Sequence, residues 1–247
     1  MPEGPSIVIL REALQIYAGK KVLSATGNAK IDLTQIENKK VLAFKSWGKH
    51  FLICFKDFYL RIHLLMFGSY TINEKKDRAP RLTLIFTNGE VNFYTCSIKL
   101  IEGRVEDDYD WEVDVMSDKW NASKADKVLK SIPEVGVCDI LLNQTVFSGV
   151  GNIIKNEVLF LTQIHPASVL GALPPKKRKE LIRVAVSYSF DFYNWKKAFV
   201  LRKHWQIYKK KTCPRCNIPI VKAYLGKTKR LTCYCSNCQI LYSSMNL

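Results

Sequence analysis

The chain has 247 residues, of which 47% are hydrophobic, and this length is enough to bury one or two cores. No apolar run reaches the roughly 18 residues that a membrane-spanning helix needs, and the N-terminus lacks the charged and apolar regions of a signal peptide. We therefore expect a cytoplasmic protein whose eight cysteines are thiols or metal ligands rather than disulfides.

The net charge of +16 is concentrated in the second half of the chain. Residues 1–115 contain 16 Lys and Arg against 15 Asp and Glu, whereas residues 116–247 contain 22 against 7. Such a surplus of positive charge indicates a polyanionic partner, and nucleic acid is the expected one. An anionic membrane is the weaker rival, because the sequence has no amphipathic basic helix with a wide apolar face.

The first half is predicted to be one helix followed by short strands. Apolar residues at helical spacing predict a helix over residues 6–17. Strands are predicted at 40–46, 50–55, 58–63, 69–72, 81–86, 90–94 and 97–102. Asn88-Gly89 lies between two apolar runs and predicts a hairpin. Many short strands at this spacing indicate a sandwich or a barrel.

From residue 106 the pattern changes from strands to helices. Residues 106–110 are acidic and predicted to be a loop, and residues 120–123 are predicted to be a linker that ends in a helix cap. Helices are predicted at 124–131, 139–143, 152–163 and 175–195. Pro174 and Pro175 favour a helix start at the last of these.

Two Cys-x-x-Cys pairs lie near the end of the chain, Cys213 with Cys216 and Cys235 with Cys238. Four thiolates at this spacing are typical of a closed tetrahedral Zn²⁺ site, which is structural rather than catalytic. Cys233 is an alternative ligand to Cys235, but two matched pairs favour Cys235. Residues 222–232, between the pairs, predict a hairpin with basic residues near its tip, suited to a DNA groove. A solvated basic hairpin without a ligand is the alternative.

A Gly-Val-Gly-Asn segment ends at Asn152, where a helix is predicted to begin. The two glycines permit a tight turn, and the side chain and backbone N–H groups at a helix N-terminus can bind phosphate. Such a contact anchors the DNA backbone without reading its sequence. Considered alone, the segment is explained equally well as an ordinary capped turn.

The N-terminus offers a nucleophile. Pro2 is small enough to permit removal of Met1, which would expose a secondary amine. An α-amine titrates near roughly 8, so part of it is neutral at physiological pH. Glu3 follows immediately, and an amine beside a carboxyl is a usable pair of nucleophile and general acid. Considered alone, Met-Pro-Glu-Gly-Pro is an ordinary coil.

Three elements occur along the chain: Met-Pro-Glu-Gly-Pro at the start, Gly-Val-Gly-Asn152 followed by Glu157, and the two cysteine pairs near the end. In this order they resemble the formamidopyrimidine-DNA glycosylase and endonuclease VIII family of bacterial DNA glycosylases and abasic-site lyases. The resemblance spans essentially the whole chain. It implies an α+β fold with an N-terminal catalytic β-sandwich domain (1–115), a helix–two-turn–helix DNA-binding domain (116–211) and a four-cysteine zinc finger with a β-hairpin (212–247). It also implies a monomer associated with the bacterial nucleoid, which binds damaged double-stranded DNA and one structural Zn²⁺.

The resemblance assigns roles to individual positions. Pro2 matches the nucleophile that attacks C1′ of the damaged nucleotide and forms an iminium, and Glu3 matches the acid that protonates the sugar ring oxygen. Lys49, before an apolar strand, matches a lysine that contacts phosphate near the abasic sugar, although a surface lysine is the alternative. Asn152 and Arg230 match two phosphate clamps, with Arg230 five residues before the second cysteine pair.

Residues 63–68 match the family's wedge loop. Leu65, Met66 and Phe67 are the expected intercalating side chains, because bulky apolar residues in a loop hold stacked bases apart while the target base is flipped out. His63 is expected to belong to the same DNA-binding surface. The alternative for this segment is the buried end of a strand.

The sequence departs from the family at three points. Ser6 stands where many members carry Glu. Residues 190–208 form a shorter segment than in members specialised for oxidised guanine, and an Asp-Pro-Arg-Arg-Phe motif is absent near residues 95–100. The last two departures favour the endonuclease VIII side of the family, with oxidised pyrimidines or ring-opened purines as substrates.

The function implied by the resemblance is base-excision repair. An oxidised base is removed through a Schiff base with Pro2, and β- and δ-elimination then nick the strand. One alternative is a catalytically inactive protein that binds damaged DNA with the same fold, which Ser6 leaves open. A second alternative is a zinc-ribbon protein that binds RNA or the ribosome, which would not need a free N-terminal proline.

Overall fold

The computed structural model describes residues 2–243, which form two compact units divided between Asp110 and Trp111. Each unit has its own hydrophobic core. Among residues 2–243, no helix is both long enough and apolar enough to cross a membrane.

The first unit consists mainly of two antiparallel sheets and one helix, α1 (Gly4–Ala13). The strands are β1 (Ser24–Thr26), β2 (Ala43–Trp47), β3 (His50–Cys54), β4 (Phe58–His63), β5 (Ser69–Ile72), β6 (Leu82–Phe86), β7 (Gly89–Tyr94) and β8 (Ser97–Glu102). One sheet has the order β1-β6-β7-β5 and the other β2-β3-β4-β8. Ile7 of α1, Phe51 of one sheet and Phe93 of the other are fully buried in a shared core. The two sheets form the predicted sandwich.

Most of these strands lie where alternation of apolar residues predicts them. The exceptions are one strand that was missed and one predicted loop that contains a helix. The predicted β6–β7 hairpin is present, and Phe86 pairs with Gly89 across its turn. The three-residue strand β1 was not predicted. The predicted acidic loop at 106–110 contains a short helix, α2 (Val105–Asp108), whose first turn carries three carboxylates. Because the helix dipole favours negative charge at its N-terminus, these carboxylates stabilise α2.

The second unit is built from four helices and a hairpin. The helices are α3 (Ala122–Ser131), α4 (Val137–Leu142), α5 (Asn152–Leu161) and α6 (Pro175–Lys197), and the hairpin strands are β9 (Val221–Leu225) and β10 (Arg230–Tyr234). All four predicted helices are present. The cap expected at the end of the 120–123 linker lies two residues earlier, at Asn121, whose Oδ1 accepts a hydrogen bond from the Lys124 N–H (3.0 Å), so α3 begins at Ala122.

The turn that ends α6 carries a residue that its backbone disfavours. The Val200 N–H donates to the Trp195 carbonyl (2.9 Å) and the Phe199 N–H to the Lys196 carbonyl (3.1 Å), which is the Schellman pattern. The residue after the cap of this motif needs a left-handed backbone and is usually glycine. Here it is Phe199, with φ of 59° and a side chain that is 96% exposed.

Candidate nucleic-acid interface and metal site

The two residues of the expected catalytic pair, Pro2 and Glu3, lie at the start of α1. Glu3 is the N-cap residue and is fully buried, whereas Pro2 is half-buried. The Ser6 N–H donates to the Glu3 carbonyl (2.8 Å), and the Ser6 hydroxyl accepts from the Glu3 N–H (3.4 Å). Ser6 therefore fixes the backbone of Glu3 in the way that the third residue of a capping box does.

Lys49 lies in a two-residue turn between β2 and β3. Trp47 pairs with His50 across this turn, and Gly48 has φ of 51°, as short hairpin turns require. His50 pairs in turn with His63, the last residue of β4. The sheet register thus brings Lys49, His63 and the segment after β4 to one end of the sheet. Helix α1 packs against β2 and β3, the strands on either side of Lys49.

The predicted wedge segment is an exposed loop between β4 and β5. Leu65 is 47% exposed, Met66 50% and Phe67 75%. The alternative of a buried strand end is therefore wrong. Three large apolar side chains in sequence are available at the surface, which is the arrangement that a wedge between bases needs.

The backbone of the wedge loop is held by two short-range contacts. Leu65 has a left-handed φ of 52°, and its N–H donates to Nδ1 of His63 (3.0 Å). The Gly68 N–H donates to the Leu64 carbonyl (2.7 Å), and a Cβ at position 68 would lie 2.0 Å from that carbonyl oxygen. Only glycine fits there, so Gly68 fixes the return of the chain into β5.

Two histidines at this end of the sheet are neutral near pH 7. Burial, with repulsion from Arg61 and His63, lowers the pKa of His50 to about 4. Burial, with repulsion from Lys49 and Arg61, also lowers the pKa of His63. Because Nδ1 of His63 accepts the Leu65 N–H, the proton of the neutral ring lies on Nε2. His63 therefore has an N–H donor left on Nε2.

Asn152 is the first residue of α5, as predicted, but its side chain is turned inward. It is 6% exposed, and its Nδ2 donates to the Leu231 carbonyl of β10 (2.9 Å). Its Oδ1 is buried and has no hydrogen-bond partner among the described residues. In the turn before it, Gly149 has φ of 97°, and its N–H donates to Oε1 of Gln144 (3.1 Å). Since phosphate accepts hydrogen bonds, the Asn152 amide would have to rearrange to donate one.

Two further polar residues of α5 hold the hairpin strand β10. Nζ of Lys155 lies 2.8 Å from the Thr232 hydroxyl, and Oδ1 of Asn156 accepts the Cys233 N–H (2.6 Å). Lys155 and Asn156 are fully buried. The sequence analysis missed both. The signal was present, because positions 152, 155 and 156 are polar and lie on one face of a helix whose other residues, apart from Glu157, are apolar.

The tip of the hairpin is attached to α4. Oδ1 of Asp139 accepts the Lys227 N–H (2.7 Å), and a Cβ at Gly226 would lie 2.6 Å from the same oxygen. Arg230, the first residue of β10, pairs with Leu225 and is exposed. The hairpin thus presents Arg230 from a strand that is fixed by α5 and from a turn that is fixed by α4.

Glu157 anchors the connection between α6 and the cysteine pairs. Its carboxylate is fully buried and accepts hydrogen bonds from three successive backbone N–H groups, those of Gln206, Ile207 and Tyr208, at 3.0, 3.1 and 2.8 Å. The sequence analysis noted Glu157 as part of a motif without assigning it a role. The structure shows that it fixes the chain five residues before the first cysteine.

The four paired cysteines form one cluster, whose sulfur atoms all lie within 4.8 Å of one another: Cys213, Cys216, Cys235 and Cys238. The Sγ atoms of Cys213 and Cys238 are 3.8 Å apart. A tetrahedral site with Zn–S bonds of about 2.3 Å has S–S edges of roughly 3.8 Å, so the four thiols fit a tetrahedral metal ion.

Cys235, and not Cys233, belongs to the cluster, as the spacing predicted. Burial raises the pKa of the Cys235 thiol, but backbone N–H groups of Cys238 and Asn237 outweigh this effect and lower the pKa to about 7. A thiolate is the form that binds metal. Cys233 instead lies on β10, with its N–H bound to Asn156.

Two family models match the sequence. The formamidopyrimidine-DNA glycosylase N-terminal domain matches residues 1–97, and the formamidopyrimidine-DNA glycosylase H2TH (helix–two-turn–helix) domain matches residues 113–188. Together the two matches cover more than half of the chain.

Curated relatives are longer than this chain. Endonuclease 8-like 3 of Mus musculus is 35% identical over 201 residues, which are 78% of this chain and 33% of the relative. Endonuclease 8-like 2 of Mus musculus is 33% identical over 202 residues, which are 75% of this chain and 59% of the relative. The chain therefore spans about a third of the first relative and less than two thirds of the second.

Solved structures share the fold. Lactococcus lactis formamidopyrimidine-DNA glycosylase, non-covalently bound to DNA containing an AP site, has a TM-score of 0.84 at 22% identity, over 96% of this chain and 99% of that chain. A viral DNA glycosylase has a TM-score of 0.83 at 18% identity, over 96% and 100%. With both domain models of one family matched in order, the chain belongs to the formamidopyrimidine-DNA glycosylase and endonuclease VIII family.

Proposed function

We propose that this protein is a base-excision-repair DNA glycosylase with abasic-site lyase activity, which acts as a monomer on damaged double-stranded DNA. The observation that supports this best is the start of the chain. Pro2 is half-buried beside the fully buried carboxyl of Glu3, in a segment that matches the glycosylase N-terminal domain from residue 1. The names of the curated relatives, endonuclease 8-like 2 and 3, agree with this activity.

In the proposed reaction, removal of Met1 exposes the Pro2 amine, which attacks C1′ of the damaged nucleotide. The bond between C1′ and the base breaks, and the base leaves with the electron pair and takes up the amine proton. Glu3 protonates the ring oxygen as the sugar opens, which leaves an iminium between Pro2 and C1′. Loss of a C2′ proton with the 3′ phosphate is β-elimination, and loss of a C4′ proton with the 5′ phosphate is δ-elimination. The gap then has phosphate on both sides.

The end of the first sheet supplies the proposed contacts around the damaged nucleotide. The Lys49 ammonium and the Nε2–H of His63 donate to backbone phosphates, which position DNA without reading its sequence. Leu65, Met66 and Phe67 fill the space that the flipped nucleotide leaves, because exposed apolar side chains can replace the lost base stacking.

In the second unit, Arg230 and Asn152 are the proposed phosphate clamps. The exposed Arg230 guanidinium meets phosphate directly, whereas the Asn152 amide is buried and has to turn outward to reach it. Arg230→Ala should therefore weaken binding to abasic duplex and reduce the salt dependence by roughly one released counterion. Asn152→Ala should weaken binding with a smaller change in the salt slope, since the amide carries no charge. Unchanged affinity in both variants would remove these residues from the DNA contact.

The four-cysteine cluster is proposed to hold one Zn²⁺ through Cys213, Cys216, Cys235 and Cys238. A metal ion with four protein ligands has no open position for substrate, so its contribution is to fix the fold around the hairpin that carries Arg230. All bond making and bond breaking is assigned to the N-terminal residues.

Borohydride trapping tests the proposed nucleophile. Reduction of the iminium should link the protein covalently to a duplex with an abasic site, and mass spectrometry should place the link on Pro2. Protein that retains Met1, or whose N-terminus is acylated, should give no adduct, and Pro2→Gly should trap weakly because it keeps an amine. Correctly processed protein that binds abasic duplex but is never trapped would refute the lyase and leave the inactive DNA-binding alternative.

Glu3→Gln separates the role of the acid from that of the nucleophile. Base removal should collapse because no proton reaches the ring oxygen, while cleavage at a preformed abasic site should be less affected. Ser6→Ala is the matched control, because it removes one capping hydrogen bond and leaves the carboxyl in place. Equal losses of both activities in Glu3→Gln would contradict the assignment of Glu3 as the acid.

Oxidised pyrimidines are the proposed substrates in preference to 8-oxoguanine. The connection from the end of α6 to the first cysteine spans only residues 198–212, and Glu157 fixes its middle by three hydrogen bonds. Little free chain is left to close over an oxidised purine. Single-turnover excision from matched duplexes should be faster for thymine glycol or dihydrouracil than for 8-oxoguanine, and the reverse order would overturn this substrate assignment.

A further inference from the structure

A groove of about 740 Å³ lies between α3 and α6 at the surface of the second unit. Trp120, Ile182 and Val186 form much of its apolar lining. The Trp120 ring is stacked on Phe147, with ring centroids 5.8 Å apart and planes inclined by 29°. The largest side chain of the lining, Trp120, is therefore packed against Phe147.

The rim of the groove is positively charged. Lys127 projects from α3, and Lys179 and Arg183 project from α6 one helical turn apart. All three are exposed, and none forms a salt bridge with a described residue. These three charges are available to a partner.

The one carboxylate in the groove is already neutralised. Asp126 accepts from Nε of Arg178 at 2.7 Å and from Nζ of Lys130 at 2.7 Å. The Arg178 contact joins α6 to α3, whereas the Lys130 contact lies within α3. Together they leave no free negative charge among the lining residues. The groove therefore favours an anionic ligand along its whole length.

This groove is separate from the proposed DNA contacts of the same unit. Helix α6 packs on α3 and on α5, whereas the hairpin strand β10 packs on α5. Asn152 begins α5 and Arg230 begins β10, and neither lines the groove. The proposed function therefore leaves the groove unassigned.

We propose that the groove between α3 and α6 is a docking site for an acidic peptide segment of a partner protein. The occupant is a short amphipathic helix whose apolar side chains enter the groove while Asp and Glu on its flanks meet Lys127, Lys179 and Arg183. The apolar lining argues for a peptide over a DNA backbone, because a phosphodiester chain has no side chain to bury there. The rim selects acidic sequences and repels basic ones.

Selection from a phage-displayed library of random 12-residue peptides, carried out on the whole 247-residue chain, tests the site. Ser187→Trp serves as the filled-groove variant, because it adds a bulky side chain to the lining without removing a buried one. The protein should enrich peptides that combine apolar residues at helical spacing with Asp or Glu, and the filled variant should not.

The most enriched peptide, labelled with fluorescein, then measures the contribution of the rim. The double variant Lys127→Glu with Arg183→Glu should weaken its binding at least tenfold. Lys30→Glu with Lys56→Glu changes the net charge equally at exposed positions of the other unit and should leave binding within twofold. Equal weakening in both double variants would show a general charge effect and overturn the docking site, as would failure to enrich any peptide over the filled variant.

Binding of duplex DNA is the last measurement of this test. If the rim variant loses duplex affinity by the same factor as peptide affinity, and duplex displaces the peptide, the groove is part of the DNA surface and the proposal is wrong. Borohydride trapping of abasic duplex by the Ser187→Trp variant should equal that of the unmodified protein. Because trapping reports on the N-terminal amine, its result separates failure of the proposed enzyme activity from failure of the docking site.

Discussion

Asn156 should be one of the most sensitive positions in the second unit. Its Oδ1 accepts the Cys233 N–H at 2.6 Å, and its Nδ2 donates to the carbonyls of Asn152 (2.6 Å) and Leu231 (3.3 Å). In Asn156→Ala, each carbonyl keeps another partner: Asn152 within the helix and Leu231 from Nδ2 of Asn152. The Cys233 N–H loses its Asn156 acceptor and is left as a buried donor.

The magnitude follows from these contacts. An orphaned buried donor costs about 1–3 kcal/mol, and the two lost donor bonds add about 1 kcal/mol in total after the gain in helix propensity from alanine. We expect Asn156→Ala to lower the free energy of unfolding by about 3 kcal/mol. For a unit of this size the melting temperature should fall by about 10 °C.

Urea denaturation followed by tryptophan fluorescence measures this loss. Asn194→Ala is the matched control, because Asn194 is an exposed residue of α6 and the same substitution should be neutral or stabilise by up to about 0.5 kcal/mol. A loss of less than 1 kcal/mol in Asn156→Ala would refute the conclusion that this amide holds β10 on α5. Binding of abasic duplex should fall in parallel, because β10 carries Arg230.

Three further predictions concern backbone strain, pH and metal. Phe199→Gly should stabilise the protein by about 1 kcal/mol, because glycine adopts the left-handed backbone without a steric penalty, and a lower melting temperature would contradict this. The folded pKa of His50 is depressed to about 4, so the unfolded chain binds the proton first and stability should fall by at most about 3 kcal/mol as pH drops from 6.5 to 4. His50→Gln should flatten that slope in pH-dependent denaturation, and an unchanged slope would exclude His50 as its source. Cys233→Ser should retain one zinc per chain by elemental analysis while Cys235→Ser loses it, and the opposite result would reverse the ligand assignment.

Local patterns explain what the sequence predicts correctly. Strands β4, β5 and β8 begin and end where predicted, because alternation of apolar and polar residues is a property of the strand itself. The four-cysteine cluster is equally local, since each Cys-x-x-Cys pair is four residues long and Cys235 is distinguished from Cys233 by spacing alone. The cap of α3 is local as well, and it was predicted within the correct four residues, although it lies at Asn121 rather than at the end of the linker.

Most errors and omissions arise where the partner of a residue or strand is distant in the sequence. The hydrogen bond from Asn152 to Leu231 joins positions 79 residues apart, so no local pattern reveals that the amide is turned inward. Strand β1 has only three residues and exists because β6 provides an edge for it. Ser6 is a local signal that the sequence analysis missed. It lies three residues after Glu3, which is the capping-box position, and its hydroxyl accepts a hydrogen bond from the Glu3 N–H.

The hydrogen bonds between α5 and β10 have a consequence for recombination between members of the family. The cysteine module cannot be exchanged as an independent unit at a boundary near residue 212, because the α5 residues that hold its second strand lie 77 residues before their partners in that strand. A chimera that receives a foreign module should keep its metal but lose the orientation of its arginine, unless the residues at 155 and 156 are transplanted with it. The same dependence predicts that, over evolutionary time, substitutions at these two helical positions are accompanied by changes at 232 and 233.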